Sequence, residues 1–407
     1  MYQLRRNEVL KKMDNHSCAV ICSGIAPYKV GDEKYPFEVD RDFFYLTGLA
    51  QENMILLLIK HENRTEEVLF IERFDELMAK WVGAKLLPNE ASQVSNIKDV
   101  QYIDELDDKI TQFMRFNGNA DVTLYGIYSK QEKGQEPFIH ERIIKDWKKC
   151  YPLVSIKQLR NVLTEMRIVK TSEEVELLKK GIEVTNKGIQ AMMKNVRVGM
   201  NEAEVEAHFN FEVRRNLCKH SFPSIVASGI NATILHYVDN NSIIEEDSLV
   251  LTDLGASYKY YNADITRTFP ASGTFTARQK EIYEIVLVAN KMIIEEAKVG
   301  MTLRELNDMV IKFYEVELPK VGLTKNVRDY YFHGVSHMLG LETHDVSLPN
   351  YKIQPGNIFT VEPGLYIEEE KIGIRIEDNV LVTEDGCVNL SADIIKEVSD
   401  IEDFMRK

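Results

Sequence analysis

The sequence predicts an α/β domain over residues 1–165, followed by an α+β domain over 166–407 that carries an internal pseudo-two-fold duplication. Three observations carry this prediction. The first part of the chain alternates short apolar runs with helical patterns, as expected for helices packed on a sheet. A charged segment over 159–170 then leads into a long helix, which places the boundary near residue 165. Beyond it, short phrases recur in the same order with a period of about a hundred residues, far longer than the repeat of a solenoid.

The elements follow in order. M-Y-Q-L-R-R-N-E-V-L-K-K-M reads as an amphipathic helix without the apolar core of a signal peptide. Strands are expected at 19–23, 54–59, 68–71 and 122–125, and helices at 75–81, 104–116 and 138–147. The phrase V-D-R-D-F-F-Y-L-T-G-L at 39–49 is expected to be an aromatic-rich strand ending in a glycine turn, its rings serving the core. No cluster of His, Asp or Glu in this domain has the makings of a metal site. T-S-E-E at 171–174 fits a capping box, with Thr171 as N-cap and Glu174 reaching back. Val175, Leu178, Ile182, Ile189 and Met192 then form an apolar stripe at helical spacing, which is core.

The duplication rests on three pairs of phrases. V-T-N-K at 184–187 matches V-A-N-K at 288–291, and V-G-M-N-E-A-E-V at 198–205 matches V-G-M-T-L-R-E-L at 299–306. L-V-L-T-D-L-G at 249–255 parallels I-F-T-V-E-P-G at 358–364. His236 stands before Asp253 at nearly the spacing of His344 before Glu362. Each match is weak, but the shared order argues for two copies of one helix–helix–strand unit.

Composition narrows the function classes. A net charge of −14 argues against a nucleic-acid or anionic-membrane partner, either of which calls for a basic patch. No apolar run approaches the roughly 20 residues needed to span a bilayer. The cysteines, Cys18, Cys22, Cys150, Cys218 and Cys387, are scattered and odd in number, so no disulfide framework is implied. A reduced, cytoplasmic location is the default expectation.

The chemistry-bearing stretch is F-H-G-V-S-H-M-L-G-L-E-T-H-D at 332–345, which holds three of the nine histidines, His333, His337 and His344. His333 and His337 have the spacing of a zincin helix, but Gly334 stands where that motif needs glutamate. Their partners must therefore lie elsewhere. Each half ends in two strands with one acid apiece: Asp253 and Asp264 in the first, Glu362 and Glu377 in the second. The strand expected at 372–382 alternates, with Gly373, Arg375 and Glu377 on one face. Asp253 sits in a mostly apolar run and is expected to be buried, which a carboxylate tolerates only when paired or metal-bound. Four carboxylates and one imidazole can share a pocket only if cations are present. Two divalent ions balance the charge, and hard oxygen ligands suit Mn²⁺, Co²⁺ or Fe²⁺. Such a pair can activate a water and polarise a carbonyl.

With these residues in hand, the second domain resembles the pita-bread metallopeptidases, and among them the Xaa-Pro aminopeptidases. The motifs are I-V-A-S-G-I-N-A-T-I-L-H-Y, T-D-L-G-A-S-Y-K-Y-Y-N-A-D-I-T-R-T-F-P, H-G-V-S-H-M-L-G-L-E-T-H-D, V-E-P-G-L-Y and G-I-R-I-E-D-N. F-F-Y-L-T-G-L is similar, more loosely, to the creatinase-type domain that precedes this fold. The resemblance implies that Asp253 chelates one metal, His337 and Glu362 the other, and that Asp264 and Glu377 bridge them. It makes Glu362 the general base and gives His236 and His344 substrate binding and proton handling. His333, Arg375 and Tyr366 would complete the site, with Arg375 beside the bridging Glu377. It implies two divalent ions, Mn²⁺ foremost with Co²⁺, Fe²⁺ or Zn²⁺ as alternatives. The expected substrates are peptides with an Xaa-Pro N-terminus, and the expected assembly is a homodimer or homotetramer. The alternatives are an Xaa-Pro dipeptidase (prolidase) and, from another class, a non-catalytic pita-bread binding module, which has no need of all five ligands. The stretch between Glu362 and Glu377 is short for the family, which puts lid or subsite contacts there in doubt.

Overall fold

A six-stranded mixed sheet organises the first of the two units, 1–166 and 167–407, into which the computed structural model divides. The structure describes residues 1–117, 121–128 and 138–406. In spatial order the strands are Asp99–Tyr102, Thr65–Ile71, Ile55–Lys60, Ser17–Cys22, Thr123–Gly126 and Ser155–Gln158. The central pairings are antiparallel and the outer ones parallel. Ser17–Cys22 is buried on both faces, which is why it reads as a continuous apolar run rather than an alternation. The N-terminal helix Tyr2–Lys12 buries two arginines along with Val9 and Leu10. Arg6, fully buried, donates to the Glu67 carboxylate at 2.8 Å and to the Leu46 carbonyl at 2.8 Å.

One expectation fails here. Residues 39–49 are not a strand but hold the helix Arg41–Thr47. The Asp40 carboxylate accepts the Phe43 N–H as an N-cap, and Gly48, at φ 71°, ends the helix in the left-handed conformation. The aromatics are buried as expected. A run apolar on every side fits either period, so the two caps decided the outcome.

In the second unit, the recurring phrases at 198–205 and 299–306 are helix-to-helix turns, and the other two pairs lie within helices and along strands. Ser172–Asn195 and Glu202–Arg215 form the first pair, Ala277–Glu296 and Leu303–Glu317 the second. Gly199 (φ 87°) and Gly300 (φ 92°) make the two turns. Asn201 and Thr302 follow as N-caps, each with a glutamate three residues on that reaches back. The Gly199 N–H donates to the Ile244 carbonyl, and the Gly300 N–H to that of Ile353, so both turns are tied to a later strand-like segment. The capping box at Thr171 is also present.

Each half then supplies an antiparallel strand pair: Leu249–Leu254 with Ile265–Pro270, and Ile358–Val361 with Asp378–Thr383. Asp264 and Glu377 each immediately precede the second strand of their pair. The stretch expected as one alternating strand at 372–382 is two. Ile372–Arg375 pairs with Gly364–Ile367, and Asp378–Thr383 joins the other sheet. The chain crosses over at Glu377, whose N–H donates to the Thr266 carbonyl of the first half. Both faces are buried, so alternation did not separate core from solvent. At Gly373 a Cβ would meet the Ala232 carbonyl at 2.0 Å, and glycine lets the residue 229–233 segment lie directly on this strand.

Candidate metal centre

The four acids and His337 converge on a cavity of about 650 Å³ in the second unit, also lined by His236, His333, His344 and Arg375. Ligand atoms of Asp264, His337 and Glu377 all lie within 4.8 Å of one another. His337 Nε2 is 3.3 Å from Asp264 Oδ2 and 3.5 Å from Glu362 Oε1. Its Nδ1–H donates to the Met338 carbonyl at 3.1 Å, a bond that leaves the Nε2 lone pair facing the acids. The Thr360 hydroxyl accepts the His337 N–H and donates to Glu362 Oε1.

The charge balance inside this pocket is unfavourable for the protein alone. Burial, followed by the charge of neighbouring acids, pushes the carboxyls of Asp264 and Glu377 well above the usual range. Burial raises Glu362 as well, against the pull of His337 and Arg375. Asp253 Oδ1 is buried without a hydrogen-bond donor. An orphaned carboxylate oxygen beside three suppressed carboxylates and an imidazole lone pair fits divalent cations, which would restore those three to their charged forms. Hard oxygens with one nitrogen are the donor set for such ions.

Arg375 departs from expectation. It does not hold Glu377 directly: its Nη2 donates to Asp253 Oδ2 at 2.6 Å, its Nη1 to the Tyr366 hydroxyl at 2.8 Å and its Nε to Thr266 Oγ1 at 3.0 Å. Thr266 in turn donates to Glu377 Oε2 at 2.7 Å, so arginine and glutamate are joined through a threonine. The strand break between residues 375 and 378 removed the shared face that alternation implied. Asp253 is also less covered than expected, its side chain 14% exposed.

His333 and Tyr366 form a directed chain from the arginine. Tyr366, accepting from Arg375, donates to His333 Nε2 at 2.9 Å, while His333 Nδ1–H donates to the Gly334 carbonyl. Burial and then Arg375 push the His333 imidazole down to about 3, which keeps it neutral. Burial pushes the Tyr366 hydroxyl up to about 12. His344, exposed, has its ring centroid 4.1 Å from that of His337. His236, also exposed, lines the same cavity.

Several supporting residues escaped the sequence reading. Thr266 and Thr268 follow Asp264 at strand period, and Thr268 Oγ1 donates to the Arg375 carbonyl. The A-D-I-T-R-T alternation was the available signal. Asn379 brackets Asp264, accepting its N–H and donating to its carbonyl. Arg267 and Asp378 form a fully buried ion pair at 2.7 Å behind the acids, and no local pattern joins residues so far apart in sequence.

Comparison with known proteins places this geometry. The profile of "Metallopeptidase family M24" matches residues 176–384, and that of "Aminopeptidase P, N-terminal domain" matches residues 2–125. The chain is 34% identical to an Xaa-Pro aminopeptidase of Haemophilus influenzae, over 99% of this chain and 96% of that one. A solved Escherichia coli aminopeptidase P with the inhibitor Pro-Leu superimposes with a TM-score of 0.91 at 31% identity, covering 99% of this chain and 97% of that one. A Bacillus anthracis structure, provisionally assigned as an aminopeptidase P, gives 0.96 at 42%, covering 100% and 97%.

Proposed function

The chain belongs to metallopeptidase family M24, and from that membership we propose that it is a metal-dependent Xaa-Pro aminopeptidase, releasing the first residue of peptides with proline second. The observation that carries this reading is the convergence of Asp264, His337 and Glu377 in one cavity with Asp253, Glu362 and the outer histidines. The relatives named Xaa-Pro aminopeptidase, matched over nearly their whole length, support the substrate class.

Asp253, Asp264, His337, Glu362 and Glu377 would hold two divalent cations, Mn²⁺ foremost, with Co²⁺, Fe²⁺ or Zn²⁺ as alternatives. Those ions would supply Lewis acidity, lowering the pKa of a water and polarising the scissile carbonyl. Glu362, oriented by Thr360, takes the proton of the attacking water. His236 and His344 orient the substrate carbonyl and stabilise the oxyanion that develops on it. Arg375, through Asp253 and Thr266, fixes two of the acids in place. An Xaa-Pro bond is a tertiary amide with no N–H, so the wall it faces needs no acceptor. Phe222, Pro223, Leu235 and Val238 give the cavity such an apolar wall.

Among the described residues no helix is long and apolar enough to cross a membrane. A cytoplasmic location and a dimeric or tetrameric assembly belong to this reading. One digest tests it. The Mn²⁺-loaded protein is incubated with an Xaa-Pro dipeptide and a longer peptide beginning Xaa-Pro, beside a chelated control, and the products are weighed. Release of the first residue from the longer peptide, lost on chelation, is the expected result. Cleavage of the dipeptide alone would turn the reading to a prolidase, and cleavage of neither would overturn the substrate class.

A further inference from the structure

His236 reaches the cavity from an exposed loop, and one buried carboxylate some thirty residues earlier anchors both arms of that loop. Glu202, the first residue of the helix Glu202–Arg215, is fully buried. Its Oε1 accepts the Ser228 N–H and the Ser228 hydroxyl, both at 2.7 Å, and the Asn231 side-chain amide at 3.1 Å. Its Oε2 accepts the Tyr237 hydroxyl at 2.8 Å and the Ser242 N–H at 2.9 Å. The Glu202 N–H donates back to the Ser242 carbonyl at 3.0 Å.

The distribution of these bonds matters more than their number. Ser228 is where the strand Ile225–Ser228 ends and the loop begins, Ser242 is where the loop returns, and Tyr237 directly follows His236. One oxygen holds the entry to the loop; the other holds the exit and the residue beside the imidazole. None of these donors is a cation, so the carboxylate is satisfied by geometry alone, and each bond to a charged acceptor is stronger than its neutral equivalent. Asn231 also donates to Ser242 Oγ at 2.9 Å, closing a ring between the arms. A staple of this kind spends no metal ligand and touches no residue of the cavity floor.

We propose that Glu202 is a positioning residue that pre-sets His236 against the substrate carbonyl. The proposal rests on the role given to His236 above. Glu202→Gln keeps the volume but replaces one acceptor oxygen with a donor nitrogen, so one of the two loop anchors must fail. Misplacing a carbonyl-orienting group by a fraction of its length costs between about ten- and a hundredfold in kcat/KM.

The test is a double-mutant cycle on the metal-loaded enzyme, with Glu202→Gln, His236→Ala, His344→Ala and their combinations, and metal content recorded for each. The loss from Glu202→Gln is expected in full beside His344→Ala and to vanish beside His236→Ala, with metal content unchanged throughout. An equal loss in both backgrounds would overturn the proposal, because a general structural defect is indifferent to His236. Should Glu202→Gln fail to fold, Tyr237→Phe removes only the bond next to His236 and is expected to give the same pattern more weakly. The His236 imidazole resonance supplies a readout independent of turnover. It is expected to shift and broaden in Glu202→Gln and in Tyr237→Phe, and an unchanged resonance would overturn the proposal. If His236→Ala leaves turnover intact, the role of His236 fails, while the resonance still decides whether Glu202 holds it.

Discussion

The two halves of the catalytic unit share a scaffold and differ in what they hang on it. Both turn between helices at a glycine with positive φ, cap the second helix with a side-chain oxygen and end in an antiparallel strand pair whose second strand is preceded by an acid. The acids nevertheless sit differently. Asp253 lies inside its strand and leans on Arg375, whereas Glu362 lies one residue past its strand, oriented by Thr360 and close to His337. The second half also brings an imidazole, that of His337, 3.3 Å from Asp264 and 3.5 Å from Glu362. Duplication supplies symmetric positions for the acids, and the departures from symmetry leave one half with an acid held by an arginine and the other with an acid set beside an imidazole.

The sharpest way to break that comparison is to remove one proposed ligand from each half. Asp264→Asn in the first and His337→Ala in the second are expected to lower turnover by more than about a thousandfold and to reduce bound metal, while thermal unfolding shows a folded protein. Asp264→Asn removes one of the carboxyls that burial already disfavours as an anion, so the apoprotein should not be destabilised by it. Normal metal content with substantial activity in either variant would dissolve the assignment of both halves to one centre.

What could be read from the sequence was what is local. The cap at Thr171 was read from its own few residues, and the caps at Asn201 and Thr302 with their turn glycines, though not read, are written just as locally inside the phrases whose recurrence was. Residues 39–49 misled because a buried aromatic run has no polar face to reveal its period, and only Asp40 and Gly48 marked it as a helix. The bonds of Arg375 to Asp253 and Thr266, the hydroxyl of Thr266 behind Glu377 and the Arg267–Asp378 pair join positions over a hundred residues apart. Such contacts depend on how the two halves pack, which no local pattern encodes.

The loops bearing the echo-related histidines offer a second contrast. The His236 loop is held by Glu202 through neutral donors. The His344 loop is held by Asp345, which meets Arg167 Nη2 at 2.7 Å and Lys170 Nζ at 3.0 Å, all three buried. Burial opposes ionisation of Asp345, but Lys170 and Arg167 hold its carboxyl below the ordinary range. Asp345→Asn removes the anion that Arg167 and Lys170 share and is expected to cost about 3–5 kcal/mol at neutral pH. The sign with pH follows from the depressed value: the stabilisation is complete above the unfolded carboxyl near ~3.9 and is lost as pH falls below it. Urea unfolding of both proteins should therefore show the gap closing on acidification. A gap unchanged below pH ~3.9 would mean that the ion pair is not what holds this loop.

The smallest expected effect is also the finest test of the duplication. Asn201 and Thr302 occupy the same place in the two turns, each accepting a first-turn N–H, from Ala203 and Glu305 respectively. Replacing either by alanine should cost about 1 kcal/mol of stability, and the near-equality of the two costs is what a common scaffold requires. Their effects on activity should differ. The Asn201 side chain also donates to the Asn241 carbonyl at 2.7 Å, on the returning arm of the His236 loop, whereas the Thr302 hydroxyl, among the described residues, bonds within its own capping box. Asn201→Ala is therefore expected to lower kcat/KM several-fold at the same stability cost, and Thr302→Ala to leave it within error. Equal activity in the two variants, at equal stability, would show that the returning arm does not depend on the cap.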